Sequence, residues 1–198
     1  MLWEYEDVLK FATKKHAGQF RADGVTPYIE HPIKVADLVV KYKKSRNLDQ
    51  IVAAALLHDV LEDTYTSYQE LKDCFGEMVA SMVMEVTTAS YMPVLVGKSN
   101  YLKHKMLDMS PYALVIKLAD RLSNVMDCGS LPKEKIEKLI ADTEEIIEFL
   151  EKNRELTTPQ KNIIEELKRQ IIDRKKEINN ALYNWQVRYF MLKCVHIR

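Results

Sequence analysis

The chain has 198 residues, with 29 Lys and Arg against 29 Asp and Glu, five histidines and 47% hydrophobic residues. These values fit one ordinary globular domain with a real core and exclude a disordered chain. No apolar run approaches the ~18 residues that a membrane span needs, and zero net charge excludes a protein whose main work is to coat nucleic acid.

Apolar residues recur mostly at three- and four-residue intervals, and five glycines and six prolines leave few interruptions, so the chain is predicted to be all-α. A first helix is expected over about 3–17, with Val8, Leu9, Phe11 and Ala12 inward and Gly18 at its end. The segment from Gly18 to Tyr28 contains Gly18, Gly24 and Pro27 and reads as a loop. Pro32 suits the first turn of a second helix, about 32–44, where its missing N–H would have no partner anyway. Further helices are expected over about 48–62, 67–89 and 98–108. Ser110-Pro111 starts another to about 127, and Leu131-Pro132 introduces one to about 153.

A last long helix begins at Thr158-Pro159. Ile164, Leu167, Ile171, Ile178, Leu182 and Trp185 form a near-heptad stripe that Arg174 interrupts. Such a stripe docks on its own chain or pairs two subunits, which leaves a homo-oligomer through this helix open. The change of character near Arg154–Pro159 marks the one candidate boundary, dividing a unit of about 1–150 from a helical extension of 155–198. Cys74, Cys128 and Cys194 show neither metal-ligand spacing nor a disulfide framework and read as free thiols in a reducing compartment. The acidic start, Glu4 to Asp7, is unlike the basic start of a signal peptide, and a cytoplasmic location is expected.

Residues 51–64 carry the strongest chemical signal. Ile51 to Leu57 are apolar all round, as in a helix buried on every side, and His58, Asp59, Glu62 and Asp63 follow at once. At about 100° per residue on a continuous helix these four share one side. Three carboxylates at the end of a buried helix repel one another and resist desolvation unless a cation compensates them, and a divalent metal would do so. Alternatively the helix surfaces at His58 and the acids are solvated. Further ligands are available in His31, aimed from the rigid start before Pro32, and in Asp120 on a second apolar helix with Leu114, Leu118, Leu122 and Val125 as its core stripe. Lys117, Asp120, Arg121 and Asn124 lie on that helix's other face, an arrangement that equally suits an ion-pair patch.

His16-Ala17-Gly18-Gln19 with Arg21, Pro27-Tyr28-Ile29-Glu30-His31-Pro32, Ala55 to Thr64, Phe75-Gly76 with Val79-Ala80, Val86-Thr87, and Ile116 to Asn124 occur in that order. Over about residues 1–130 this succession resembles the HD-type hydrolase domain of RelA/SpoT homologues, including the stand-alone small alarmone hydrolases of the Mesh1 type. The resemblance implies an HD-type helical bundle and a divalent metal, usually Mn²⁺, held by His31, His58, Asp59 and Asp120. It implies that Glu62 and Asp63 activate the attacking water and that the reaction removes the 3′-pyrophosphate of (p)ppGpp. Two imidazoles and two carboxylates are a donor set that suits such a metal.

A polyanionic guanosine nucleotide also needs fixed positive charge, for which Arg21 and Lys117 are the candidates, and the resemblance implies that Asn124 bonds the ribose or base. Ala22 and Ser123 depart from the family pattern, and residues 127–150 contain lysines but no arginine, so the substrate's identity is the open point. Another nucleotide such as NADPH, or a non-catalytic nucleotide-binding regulatory module, are the rival readings. A synthetase domain has no room in 198 residues, and one-way degradation is expected.

Overall fold

The structure is a computed structural model. It describes residues 3–88, 94 and 97–195, with side chains described as far as residue 180. Helices dominate throughout. Among the described residues the only β-type pairing is an isolated antiparallel bridge between Phe20 and Pro27.

Helix α1 (Tyr5–Lys15) buries Val8 and Ala12, with Leu9 and Phe11 packed against the core. Helix α2 (Glu30–Tyr42) starts two residues earlier than Pro32 would set it, so His31 lies inside its first turn. The predicted helix over 48–62 is instead two helices. Helix α3 (Leu48–Leu56) ends at a turn, and the short α4 (Val60–Asp63) begins with Asp59 as its N-terminal cap residue. His58 and Asp59 therefore sit in the break, and the placement of His58, Asp59, Glu62 and Asp63 on one continuous helical wheel does not hold.

The predicted helix over 67–89 is likewise divided, into α5 (Tyr68–Phe75) and α6 (Glu77–Val86). Gly76 between them has φ of 89°, in the region that side chains disfavour and glycine tolerates. Helix α5 starts on a Ser67 cap, whose hydroxyl accepts from the Glu70 amide. Helix α7 (Lys98–Asp108) precedes α8 (Pro111–Asp127), which has Ser110 as its cap and Pro111 in its first turn. A 3₁₀ turn (Cys128–Ser130) leads into α9 (Lys133–Asn153), and α10 (Thr158–Val195) closes the chain.

The core is built on α3 and α8. Every residue from Ile51 to Leu57 is buried, as are Ala113 to Ala119 and Leu122. Helix α2 lies against both, α6 lies against both from another side, and the first half of α10 runs along α8. Ile163, Ile164, Leu167 and Ile171 of α10 enter the same core. Arg174, which interrupts the stripe, turns its guanidinium to the Met126 carbonyl and the Glu177 carboxylate. Leu182, Trp185 and Cys194 belong to the stretch whose side chains lie outside the described residues. Cys74 and Cys128 are free thiols. No helix among the described residues is long and apolar enough to cross a membrane.

Candidate metal centre and nucleotide cavity

The turn between α3 and α4 determines how the site is aimed. His58 Nδ1 lies 2.7 Å from the Ala55 carbonyl, which is free to accept because the helical ladder stops there. That bond places the proton on Nδ1 and leaves Nε2 facing inward. His58 Nε2 stands 3.0 Å from Asp59 Oδ2 and 3.8 Å from Asp120 Oδ1, and among the described residues it finds no aligned hydrogen-bond partner. His31 Nε2 is 3.1 Å from Asp120 Oδ1 and 3.9 Å from Asp59 Oδ2, while its Nδ1 meets Ser123 Oγ at 3.1 Å. Helices α2 and α8 and the turn between α3 and α4 thus bring two imidazoles and two carboxylates to one point. The donor atoms of His31, His58 and Asp120 all lie within 4.8 Å of one another, with Asp59 at their edge.

This donor set fits a divalent cation. Nitrogen and carboxylate oxygen together suit Mn²⁺ and its neighbours, and a cation would satisfy the orphaned His58 Nε2. The carboxylates draw positive charge to this point, and a bound cation would take the place of the second proton on His58. Burial works against a charged His58, yet the carboxylates of Asp59 and Asp120 outweigh it and push its pKa up to about 9. Burial also opposes ionisation of Asp59 and Asp120, but His58 holds the first, and Lys117 with His31 holds the second, below the usual carboxylate range.

Asp120 is the most heavily bonded member. Asn124 Nδ2 donates to its Oδ1 at 2.7 Å, and Lys117 Nζ lies 3.0 Å from its Oδ2. Lys117 is buried at 8% exposure and remains charged, since Asp120 and Asp59 outweigh the desolvation of its ammonium. Lys117 and Asn124, expected to face a substrate, therefore also hold the carboxylate of Asp120 in place.

Glu62 and Asp63, on α4, line the same cavity, of about 860 Å³, at the outer side of the imidazoles. Glu62 Oε2 accepts from the Thr88 amide at 2.8 Å. Asp63 Oδ2 lies 3.2 Å from the Tyr28 hydroxyl, and its pKa is raised by desolvation in the cavity wall and then by the charge of Asp59. A carboxyl so raised is better suited to taking a proton than an ordinary surface aspartate.

The Gly18–Tyr28 segment is an ordered turn. Asp23 accepts from the Val25 and Thr26 amides and from the Thr26 hydroxyl, which lowers its pKa to about 2. The Arg21 amide donates to the Thr26 carbonyl at 2.8 Å, and Gly24, with φ of 72°, closes the turn. Arg21 is held at the cavity mouth, its Nη2 3.4 Å from Asn124 Oδ1 and its guanidinium 5.8 Å from the centre of the Tyr28 ring.

Tertiary packing brings to the site side chains to which the sequence assigns no role. Lys98, exposed on α7, lines the cavity, as do the exposed Lys135 and Lys138 of α9. Tyr28 was quoted in a motif without a role, yet its hydroxyl donates to Asp59 Oδ2 at 2.6 Å. The available signal was its position one helical turn before His31. His104, by contrast, is exposed on α7 and packs on Phe149.

Residues 8–155 match the HD domain family, three quarters of the chain. The chain belongs to the HD family. Similar HD proteins include the guanosine-3′,5′-bis(diphosphate) 3′-pyrophosphohydrolase MESH1 of Danio rerio, 37% identical over 129 residues, which are 65% of this chain and 71% of that protein. The guanosine-3′,5′-bis(diphosphate) 3′-pyrophosphohydrolase of Aquifex aeolicus (strain VF5) is 37% identical over 145 residues, 72% of this chain and 20% of that protein. The bifunctional (p)ppGpp synthase/hydrolase SpoT of Escherichia coli K12 is 37% identical over 141 residues, 68% and 19% of the two chains. This chain therefore spans about a fifth of the two long bacterial relatives and most of the zebrafish one. Among solved HD structures, that of a metazoan SpoT orthologue, described as hydrolysing ppGpp, superposes with a TM-score of 0.69 at 26% identity, covering 83% of this chain and 93% of that one. The Listeria monocytogenes protein lmo0812 shares the fold, with a TM-score of 0.59 at 21% identity over 73% of this chain and 95% of that one.

Proposed function

We propose that this chain is a Mn²⁺-dependent phosphohydrolase that removes the 3′-pyrophosphate of (p)ppGpp, yielding GDP or GTP and pyrophosphate. The observation that carries this reading is the convergence of His31, His58, Asp59 and Asp120 beneath a cavity whose wall holds Glu62 and Asp63. A module that only bound a nucleotide would not need two further acids beside a complete ligand set.

A bound divalent cation supplies positive charge to the phosphate under attack. Glu62 and Asp63 take the proton of the attacking water, whose oxygen forms the new bond to phosphorus as the bond to the ribose 3′-oxygen breaks and that oxygen gains a proton. Arg21 binds a phosphate of the substrate through parallel N–H donors from the cavity mouth. Lys117 keeps Asp120 ionised and adds charge at the cavity floor, and Asn124, one turn beyond Asp120, faces the ribose or base. The chemistry lies within the first 150 residues, and α10 (Thr158–Val195) is the helical extension, whose first turns complete the core. The relatives' names and the cavity's mixture of cations and carboxylates support a small nucleotide substrate.

The test is a product screen of purified, Mn²⁺-loaded protein against ppGpp, pppGpp, NADPH and common nucleotides, with phosphate and pyrophosphate distinguished. GDP and GTP with stoichiometric pyrophosphate are expected. Phosphate from NADPH would move the substrate, and nucleotide binding without turnover would leave a regulatory module.

A further inference from the structure

The motif His16-Ala17-Gly18-Gln19 and Tyr28 have no part in the reaction described so far, yet they lie directly behind it. His16 is buried at 3% exposure, and its ring lies on that of Tyr28 with centroids 4.9 Å apart. Its Nδ1 is 2.7 Å from Gln19 Oε1, and Gln19 Nε2 donates to the Asp63 carbonyl at 2.9 Å. Because the Gln19 amide nitrogen is the donor to Asp63, its oxygen is an acceptor, and His16 Nδ1 must carry the proton. The end of α1 is thereby tied to the end of α4.

Tyr28, held between His16 and Arg21, places its hydroxyl 2.6 Å from Asp59 Oδ2 and 3.2 Å from Asp63 Oδ2. A phenol has a single proton and two acceptor lone pairs. One hydroxyl therefore stands between a carboxylate on the ligand side of the site and a carboxylate on the water-activating side.

We propose that Tyr28 is a positioning residue, whose hydroxyl sets Asp59 and Asp63 relative to each other, while His16 and Gln19 form the brace that holds the ring and the Asp63 backbone. The inference rests on Asp59 and Asp63 having the roles given above. Groups that hydrogen-bond to a metal's ligands typically change metal affinity or activity by roughly 10–100-fold when removed.

The hydroxyl and the brace leave separate signatures. Tyr28→Phe keeps the stacked ring and removes only the hydroxyl. Its affinity for Mn²⁺ alone, measured by calorimetric titration without substrate, is expected to fall by roughly 10-fold or more. Its kcat is expected to fall by a similar factor with KM for ppGpp unchanged, since the hydroxyl is engaged by the carboxylates of Asp59 and Asp63. Gln19→Ala releases the Asp63 backbone and the His16 Nδ1–H while leaving the Tyr28 hydroxyl in place, and is expected to lower kcat several-fold at unchanged Mn²⁺ affinity. Unaltered Mn²⁺ affinity and kcat in folded Tyr28→Phe would overturn the proposal, as would a raised KM at full kcat, which would make Tyr28 a substrate contact. If Tyr28→Phe does not fold, Gln19→Ala decides, and full kcat there removes the brace. The Mn²⁺ titration is independent of substrate, so a wild-type protein inert toward ppGpp would sink the proposed function and leave the Tyr28 result standing.

Discussion

Asp120 receives hydrogen bonds from His31 and Asn124 on one oxygen and the Lys117 ammonium on the other, and all but Asn124 are buried. Removing that carboxylate outright would strand a buried cation, a loss of about 3–5 kcal/mol in comparable cases, so Asp120→Ala tests folding as much as ligation. Asp120→Asn keeps the shape and one oxygen and is expected to lose bound metal and activity together, with the helical circular dichroism spectrum retained. Metal bound at wild-type stoichiometry would remove Asp120 from the ligand set. Replacing Glu62 by Gln and Asp63 by Asn leaves the ligands untouched, so metal content should persist while kcat falls by ~10²-fold or more, the scale of general acid–base assistance. Arg21→Ala removes one charge-assisted phosphate contact, about 1.5–3 kcal/mol, and should lower kcat/KM for ppGpp on the order of 10- to 150-fold with metal content unchanged. Steady-state kinetics with metal analysis on the same samples reads both outcomes.

At the scale of helices, the most consequential feature is the interruption between α3 and α4. The apolar run from Ile51 to Leu57 contains no glycine or proline, so nothing local announces a break. The interruption is set by the side chains that follow. His58 takes the Ala55 carbonyl for its ring, and Asp59 caps the new helix while its carboxylate turns to His58 and Tyr28. The division at Gly76 is different in kind, because there the residue itself permits φ of 89°. A Cβ added at Gly76 meets nothing within 4 Å, so Gly76→Ala should cost only backbone strain, roughly 1–3 kcal/mol. Thermal unfolding should show that loss while kcat stays at the wild-type value.

For the whole molecule, the extension and the HD unit share one interior. Ile163, Ile164, Leu167 and Ile171 are fully or nearly fully buried. Arg154 bonds the carbonyls of Met106 and Leu107, and Gln160 bonds that of Pro111. Each of the four aliphatic side chains contributes about 1.5–3 kcal/mol, so together they match the roughly 5–15 kcal/mol by which a domain is stable at all. A chain cut after Asn153 is therefore expected to lose its cooperative thermal transition and its near-ultraviolet circular dichroism. Retention of both would show that the first 153 residues stand alone. If the ligand set holds Mn²⁺, a metal concentration 100 times the dissociation constant should stabilise the full chain by about 2.7 kcal/mol, seen as a rise in Tm that a chelator reverses.

The all-α class, the order of the helices and the inward faces of α1 and α8 were legible along the chain, because helical period and capping act over three or four residues, whereas the ligand set of the proposed metal centre was implied only by the family resemblance. Partners were not legible. His31 meets Asp120 and Ser123 across 89 and 92 residues, and Tyr28 meets Asp59 and Asp63 across 31 and 35. Lys98, Lys135 and Lys138 stay exposed, as lysines on isolated helices would be, but only the packing of α7, α8 and α9 places them around one cavity. Lys117 shows both levels at once. Its place on the polar face of α8 follows from period alone, whereas its burial and its ion pair with Asp120 exist because α2 and α3 cover that face, excluding the water that would otherwise solvate the ammonium.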